Sequence, residues 1–528
     1  MKHVITGIFF LLTVLSAGAQ FKTIAEGPEF DEPEKGYTRV LQLSSGYTAY
    51  FRITLKKGID IRMYDDRHKE KVVTNTQPAY GELGWATTIA GAFEINDDIM
   101  ILVGADLKAS PVMIRLLIDG KTGQLKKEDR LAELSKVNYV RSYAISYGGI
   151  ERPGFYANTS LSKNHYAVAS FNTFESDRNK RIEVIVYGAD HKEISRAFYH
   201  SPEEKYKYLD YLDMEVLDNG RVVILVNGYN TRTSGKKGNE ILLGGLLKAA
   251  SQVSFNELAF PRDSTVYAGK LRYDPATKKM IVAASILKPK SSAVFNYLAF
   301  VDLDAHKAVK TIPVLLPEKG VYGWSSQMPG KKADFIGIIR DIYIDDDNTF
   351  SLSLEEEEIS GSSHSDGTFM HDNAHLVLSN VAIAVYNREA ILLNTFFIGK
   401  TYSMSAQSLT AADYGFGNQY KRFGYVNTGS KKYILINDLE RNIETAQKGR
   451  QPLRIMGVGA CDAFYLPLTG NELVPERKYI FGEPADRKDN KVATFGVSAY
   501  DKKNNLFATL RTTDPGRGKV SQIVWIKP

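Results

Sequence analysis

The chain contains one cysteine, Cys461, among its 528 residues. An intrachain disulfide is therefore excluded, and the folded state must depend on a hydrophobic core. Hydrophobic residues make up 43% of the chain, which is enough to build such a core. Cys461 stands among small and apolar neighbours with no histidine or basic residue beside it, so we expect a buried side chain and not a nucleophile.

The sequence also lacks any apolar run of about 20 residues, so it predicts no transmembrane anchor. A shorter apolar stretch spans residues 4–15, and a small-residue cleavage pattern follows it and ends at Ala19. We therefore interpret residues 1–19 as an export signal that is cleaved near Ala19–Gln20. The mature chain, residues 20–528, is expected to be a single domain that is periplasmic or secreted.

The chain has no large excess of charge of either sign. The formal net charge is +6 over the whole chain, and lysine and arginine occur in pairs or short mixtures instead of long runs. This weak bias does not match a nucleic-acid-binding surface, and export argues against that role as well. Three tryptophans are too few to indicate a sugar-stacking platform, and Trp525, in an alternating C-terminal strand, is expected in the core.

Helical periodicity is nearly absent as well. The best helix signal is Ser201–Glu204, where a capping serine and a proline precede two glutamates. Elsewhere, runs of four to ten β-branched and aromatic residues alternate with Gly, Asn and Asp turns, which is typical of strands. One unit, an apolar run that leads into a polar turn with Tyr or Asp, recurs along the chain at Ile59–Asp66, Ile182–Gly188, Leu298–Asp304, Val381–Asn387 and Phe495–Asp501.

Grouping the predicted strands by fours divides the chain into eight units of roughly 50 to 80 residues. The seventh unit is assigned Phe423–Val426, Lys432–Ile436 and Leu453–Gly457, with an unclear fourth strand. The last unit has only three predicted strands and ends with Val520–Ile526. The N-terminal run Phe21–Ala25 is placed to supply the missing strand.

This pattern resembles a β-propeller. The resemblance implies an all-β ring of seven or eight four-stranded blades, closed by an N-terminal strand so that no terminal blade keeps an unpaired face. It is a resemblance of pattern, since no repeated Trp-Asp dipeptide or Gly-Gly doublet marks a particular family. The alternative is a chain of two or three β-sandwich or barrel domains.

The most unusual segment of the chain follows a run of four glutamates. Three of the nine histidines, together with two aspartates, fall within twelve positions. Imidazole and carboxylate groups are the usual ligands of zinc and related ions. The candidate divalent-metal ligands are His364, Asp366, His371, Asp372 and His375.

Serine and glycine in the same segment favour a loop, which would join the second and third strands of the sixth unit on the face where propeller ligands usually bind. An ordinary solvated loop would have the same composition. In that case the preceding Glu355–Glu358 would be an exposed charge run whose alternate side chains point to opposite faces. In the functional interpretation, Glu356 and Glu358 are candidate ligand-binding residues. A second acidic stretch, Asp345–Asn348, has the clustered oxygens of a calcium loop but also the composition of a common turn.

The function indicated by these features is binding. We expect an exported, monomeric propeller that holds an extracytoplasmic protein or a glycan of unknown specificity, because a rigid ring presents many variable loops around one funnel. A divalent metal ion is the one cofactor that the residues suggest, and they identify no catalytic group. Two alternatives stay open: a carbohydrate-active hydrolase or lyase with its active site in the funnel, and a structural protein of the cell envelope.

Overall fold

The computed structural model describes residues 21–528, with gaps at 32–35, 55–56, 80–86, 109, 137–152, 173, 200–205, 231–239, 247–251, 262–264, 288–293, 306, 317–334, 366–369, 406–415, 449, 451, 471–473, 487–488 and 514–519. Over 359–365 and 370–375 it describes the backbone alone. The expected export signal and the expected helix at Ser201–Glu204 lie outside the described residues. Among those described, no helix is both long and apolar enough to cross a bilayer.

The described residues form eight antiparallel blades of four strands each, and in blades 1 to 7 the strands follow one another along the chain. The first strands of successive blades contact each other from blade 1 to blade 6, and those of blades 8 and 1 do so as well, which identifies the first strands as the innermost strands around a common axis. The protein is therefore an eight-bladed β-propeller, and the predicted architecture is confirmed.

In blades 1 to 7 the strands run outward from the axis in chain order. In blades 1 to 4 they are Tyr37–Gln42, Thr48–Thr54, Gly58–Tyr64 and Glu70–Thr76; Thr88–Ile95, Asp98–Leu107, Ser110–Asp119 and Leu125–Glu133; Gly154–Thr159, His165–Phe171, Ile182–Gly188 and Glu193–Tyr199; and Tyr208–Val216, Val222–Tyr229, Glu240–Leu246 and Gln252–Glu257.

In blades 5 to 7 they are Thr265–Asp274, Lys279–Leu287, Val294–Asp302 and Lys307–Pro313; Ile338–Ile344, Thr349–Ser365, Met370–Asn387 and Leu392–Ile398; and Gly424–Asn427, Lys432–Asp438, Asp462–Pro467 and Lys478–Tyr479. Blade 8 comprises Lys491–Ala493 with Ala499–Asp501, then Leu506–Thr513, Val520–Lys527 and Lys22–Glu26. Short helices lie at Arg178–Lys180, Phe416–Gln419, Arg441–Gln447 and Phe495–Val497.

The core consists of an apolar layer between each pair of neighbouring blades. The second strands of the blades are buried on both faces because each blade is packed between two others, which explains their nearly continuous apolar runs. The layer between blades 8 and 1 contains Trp525, which is fully buried beside Tyr64 and donates a hydrogen bond to the Thr48 hydroxyl at 3.0 Å. The expectation that Trp525 is a core residue is confirmed.

The ring closes through the N-terminal strand. Lys22–Glu26 pairs antiparallel with Val520–Lys527 and becomes the outermost strand of blade 8. The Arg511 guanidinium donates to both carboxylate oxygens of Glu26, at 2.7 and 2.8 Å. Phe21 stacks on Tyr465 of blade 7, with 4.5 Å between the ring centroids. The prediction that an N-terminal strand completes the last blade is confirmed.

Blade 7 differs from the prediction. Its third strand is Asp462–Pro467, whereas the run assigned to that place, Leu453–Gly457, is an irregular segment attached to the neighbouring structure by an isolated bridge between Ile455 and Tyr402. The helix Arg441–Gln447 lengthens this connection, so the strand lies later in the sequence than regular spacing suggests.

Blade 6 differs from the prediction in the length of its central hairpin. Its second and third strands pair from Thr349 with Asn387 as far as Ser365 with Met370. The expected loop is therefore mostly a continuation of this hairpin. The first strand of the blade ends its pairing at Glu355, and beyond that point a short strand, Tyr402–Ser405, pairs with the third strand.

Candidate functional site

Charged side chains meet near the axis between three neighbouring blades. Arg272 lies on the innermost strand of blade 5, and its guanidinium is 2.7 Å from a carboxylate oxygen of Asp341 on blade 6. On its other side it is 3.3 Å from Asp213 and 3.5 Å from Glu215, both on the innermost strand of blade 4. One cation thus connects three carboxylates from blades 4 and 6.

Bulges in the innermost strands place two of these carboxylates. The pairing register shifts between Tyr211 and Asp213 in blade 4, and between Ile339 and Asp341 in blade 6. A bulge inserts one unpaired residue and redirects the side chains that follow it. Both aspartates come directly after such a shift, so strict alternation does not decide their direction.

The environment of this network favours fixed positions for the acids. Asp213 accepts a hydrogen bond from the Leu271 backbone N–H at 3.0 Å, and the Lys270 ammonium lies 3.9 Å from its other oxygen. Burial raises the pKa of Glu215 to about 7, although the charge of Arg272 opposes the shift. At neutral pH Glu215 is therefore partly protonated, which reduces repulsion among the three acids.

Two stacked tyrosine pairs flank the charged network. Tyr156 of blade 3 lies on Tyr211 of blade 4 with 3.7 Å between centroids and 9° between planes. Tyr343 of blade 6 lies on Tyr425 of blade 7 with 4.0 Å and 14°. Burial raises the pKa of Tyr211 and that of Tyr343, so both phenols remain protonated and can donate hydrogen bonds.

A cleft of about 430 Å³ opens beside the first of these pairs, and we call it the axial cleft. Its walls come from blades 2 to 5, and its polar and aromatic lining includes Asp106, Tyr156, Tyr211, Asp213 and Lys270. It opens where second strands end and third strands begin, which is the face from which the long hairpin of blade 6 extends. A hollow of about 680 Å³ between blades 4 and 5 is larger, but its lining is mostly aliphatic and aromatic and it is not lined by the charged network.

The axial cleft therefore combines a half-buried aromatic surface, a carboxylate and an ammonium group. Aromatic faces pack against the C–H faces of sugar rings, and the charged groups can hydrogen-bond hydroxyls. The residues suit reversible binding of a polar molecule with an apolar face.

The structure corrects the interpretation of Glu355–Glu358 as an exposed run. Glu355 is buried and contacts Arg340 at 3.0 Å and the fully buried Lys400 at 2.5 Å. Burial alone would raise the pKa of Glu355, but these two cations lower it. Glu357 also pairs with Arg340, at 2.6 Å, and its side chain is 6% exposed.

The two glutamates predicted to bind a ligand differ in exposure. Glu356 is buried and accepts hydrogen bonds from Ser379, from the Asn380 side chain and from the Ile336 backbone. Burial raises its pKa. Glu358 is exposed at the base of the hairpin extension.

The predicted metal ligands lie along that extension. Asp366 is outside the described residues, and His364, His371, Asp372 and His375 are described by their backbone alone. The strand register places His364 directly opposite His371, Ser363 opposite Asp372, and His375 opposite Ser360. Among the side chains that the structure describes, no group of three or more metal-ligating residues occurs.

At Asp345–Asn348, the candidate calcium loop, a lysine ammonium group already lies beside the carboxylates. The Lys432 ammonium lies 3.1 Å from a carboxylate oxygen of Asp345 and 3.1 Å from one of Asp347. Tyr425 also donates a hydrogen bond to Asp345, at 2.9 Å. The Asp345–Asn348 turn is therefore held in place by the side chains of Lys432 and Tyr425. Cys461 is free and fully buried, as expected.

Sequence reasoning missed the axial network because its members are single charged residues in separate repeats. The innermost strands of three consecutive blades each contain one charged residue of the network: Asp213, Arg272 and Asp341. These residues come together only when the ring forms. The usable signal was a charge at a comparable place in three successive repeats.

Comparisons with known proteins assign the chain to no family. No family model matches the chain, and no curated relative matches it. Among solved structures, the Dos1 propeller matches with a TM-score of 0.47 and 10% identity over 94% of this chain and 95% of that one. The polysaccharide lyase Uly1 matches with a TM-score of 0.38 and 9% identity over 96% and 99%. An α-L-arabinofuranosidase from Fusarium graminearum gives 0.30 and 10% over 71% and 92%.

Proposed function

We propose that the protein is a binding module that holds a glycan segment in the axial cleft. The observation that carries the proposal is the position of stacked Tyr156 and Tyr211 beside Asp213 and Lys270 in one cleft of about 430 Å³. A sugar ring packed on tyrosine would bury its C–H face, while its hydroxyls reach the carboxylate and the ammonium group.

Binding is favoured over catalysis because of the way the acids are held. Asp213 and Asp341 are both ion-paired with Arg272, and Asp213 also accepts a backbone hydrogen bond. A general acid or base must be free to exchange a proton with the substrate, whereas the carboxylates of both aspartates are engaged by the Arg272 guanidinium. Their geometry suits orientation of a ligand better than proton transfer.

The test is a glycan-array screen of the mature protein, followed by calorimetric titration with the best ligand. Tyr211→Ala removes one ring of the cleft pair and should weaken binding about tenfold. Tyr343→Ala is the matched control, because Tyr343 stacks equally closely on Tyr425 but does not line the cleft. Equal losses in both variants, or no glycan binding by the intact protein, would contradict the proposal.

A carbohydrate-active enzyme is the second candidate, and one observation favours it. The pKa of Glu215 is raised to about 7, which is suitable for a general acid at neutral pH. An assay for new reducing ends or unsaturated products on a polysaccharide panel tests this role. Turnover that Glu215→Gln abolishes would support it, and absence of turnover on every glycan that binds would leave binding as the function.

We further propose that the protein acts as a monomer after export and removal of residues 1–19. The N-terminal apolar stretch and its small-residue cleavage pattern support export and cleavage. N-terminal sequencing of the protein from the exported fraction should begin at Gln20, and sedimentation should give the mass of one chain. A retained N-terminus or a dimer mass would contradict it.

A further inference from the structure

The hairpin of blade 6 is longer than its blade requires. Its second and third strands have 17 and 18 residues. The first strand of the blade pairs no further than Glu355, and the outer strand no further than Val381. Beyond these points the pair continues, joined by Tyr402–Ser405 only over His375 to Leu378. The distal part is a two-stranded ribbon on the face where the axial cleft opens.

The register of this ribbon brings two histidines together. His364 is paired directly with His371, one position before the last pair, Ser365 with Met370. Directly opposite residues of an antiparallel pair lie on the same face of the sheet with their Cβ atoms about 5 Å apart. No other two histidines are directly opposite in the strand ladders that the structure describes.

We propose that His364 and His371 form a two-histidine site for a divalent transition-metal ion such as Cu²⁺, Ni²⁺ or Zn²⁺. Imidazole is a preferred ligand of these ions, and the strand register places the two histidines opposite each other in the ribbon. The site stands independently of the axial cleft and of the glycan proposal.

The register also narrows the set of five ligands predicted from the sequence. His375 lies on the same strand as His371 but four residues away, which is about 13 Å along an extended chain. Asp372 is adjacent to His371 and so falls on the opposite face of the ribbon. The pair His364 and His371 is therefore the core of the site, and His375 provides a matched control.

The experiment titrates the untagged mature protein with Cu²⁺ by calorimetry at neutral pH and records the electron paramagnetic resonance spectrum. We expect one copper per chain with hyperfine coupling to imidazole nitrogen. His364→Ala and His371→Ala should each abolish this binding, whereas His375→Ala should retain it. Affinity should fall below about pH 6.5, because protons compete for the imidazole nitrogens.

Thermal melting of each variant checks that the ring remains folded. The proposal is overturned by an intact protein that binds no copper, by binding that survives in the His364→Ala/His371→Ala double variant, or by an equal loss in His375→Ala. Tyr211→Ala should leave copper binding unchanged, which separates the failure of this proposal from failure of the glycan proposal.

Discussion

Arg272 is the residue on which the axial network depends most. Its guanidinium is the shared counter-ion of Asp213, Glu215 and Asp341. Removing one member of a buried ionic group leaves charges without compensation, which costs about 3 to 5 kcal/mol, and a partly buried network such as this one should lie at the lower end of that range. Arg272→Met should therefore lower the free energy of unfolding by about 3 kcal/mol in urea denaturation at pH 7.

A surface arginine with two acidic partners provides the control. Arg196 pairs with Glu183 at 2.6 Å and with Glu193 at 2.8 Å, but its side chain is 40% exposed. Exposed pairs contribute about 1 kcal/mol or less, so Arg196→Met should have a small effect. If the two variants lost equal stability, the axial network would have no special structural role.

Glu215 should make stability depend on pH. Its pKa is about 7 in the folded protein and is near 4.3 in an unfolded chain, so the folded state binds the extra proton between these values. Stability must therefore fall as pH rises from about 4.5 to 7. Glu215→Gln should remove this decline, with a gain over the parent protein at pH 8 of at most about 3 kcal/mol. Parallel stability curves for the two proteins from pH 5 to 8 would contradict the assignment.

Residue-level prediction from the sequence succeeded where local chemistry decides the environment. Cys461 and Trp525 are buried as their apolar neighbours indicate. It was wrong for Glu355, because one of the cations that cover this carboxylate, Arg340, comes from a neighbouring strand, and the other, Lys400, comes from the segment that follows the outer strand. The axial site could not be predicted from the sequence for the same reason, because its residues become neighbours only after three blades have packed.

At the level of elements, the strands lie where the turn residues of the sequence predict them, except where the spacing between strands along the chain changes. Leu453–Gly457 has the apolar residues of a strand, but Leu453 and Met456 are exposed. The strand that does form, Asp462–Pro467, begins after an added helix whose position the repeat could not give. Bulges such as the one before Asp213 are also invisible to period-two patterns, since they depend on the partner strand.

The hairpin extension of blade 6 should be dispensable for folding. We would delete residues 360–375 and connect the register partners Ile359 and Leu376 through an Asn-Gly turn, which suits a two-residue hairpin. Leu376 keeps its contacts with Leu378 and Met404, so the base of the hairpin remains packed. The melting temperature should stay close to that of the intact protein, while copper binding should disappear.

A large loss of stability in this truncated protein would show that the extension packs on the ring instead of projecting from it. Copper binding that survives truncation would place the metal elsewhere. His364→Ala in the full-length hairpin is the control, because it removes a proposed ligand and keeps the element.

For the whole molecule, the decisive contact is the one that closes the ring. Neighbouring blades are connected by the chain, whereas blade 8 is joined to the start of the chain through the pairing of Lys22–Glu26 and Phe30–Asp31 with Val520–Lys527 and through the apolar layer between blades 8 and 1. Separation of this pair would expose the apolar layer that contains Trp525 and the faces of two blades. The ring can therefore open at this closure without separating paired strands in any other blade.

A disulfide across the closure tests this view. Lys22 and Lys527 are exposed register partners, and opposite residues in antiparallel strands lie within the Cα separation that a disulfide spans. The Lys22→Cys/Lys527→Cys variant should unfold at a higher temperature when oxidised than when reduced, because the bond constrains nearly the whole unfolded chain, an effect of about 5 kcal/mol at most. The parent protein, whose lone Cys461 is buried, should melt equally with and without reductant. If oxidation leaves the melting temperature of the variant unchanged, the ring yields first at another interface, and pairing of the chain ends does not limit its stability.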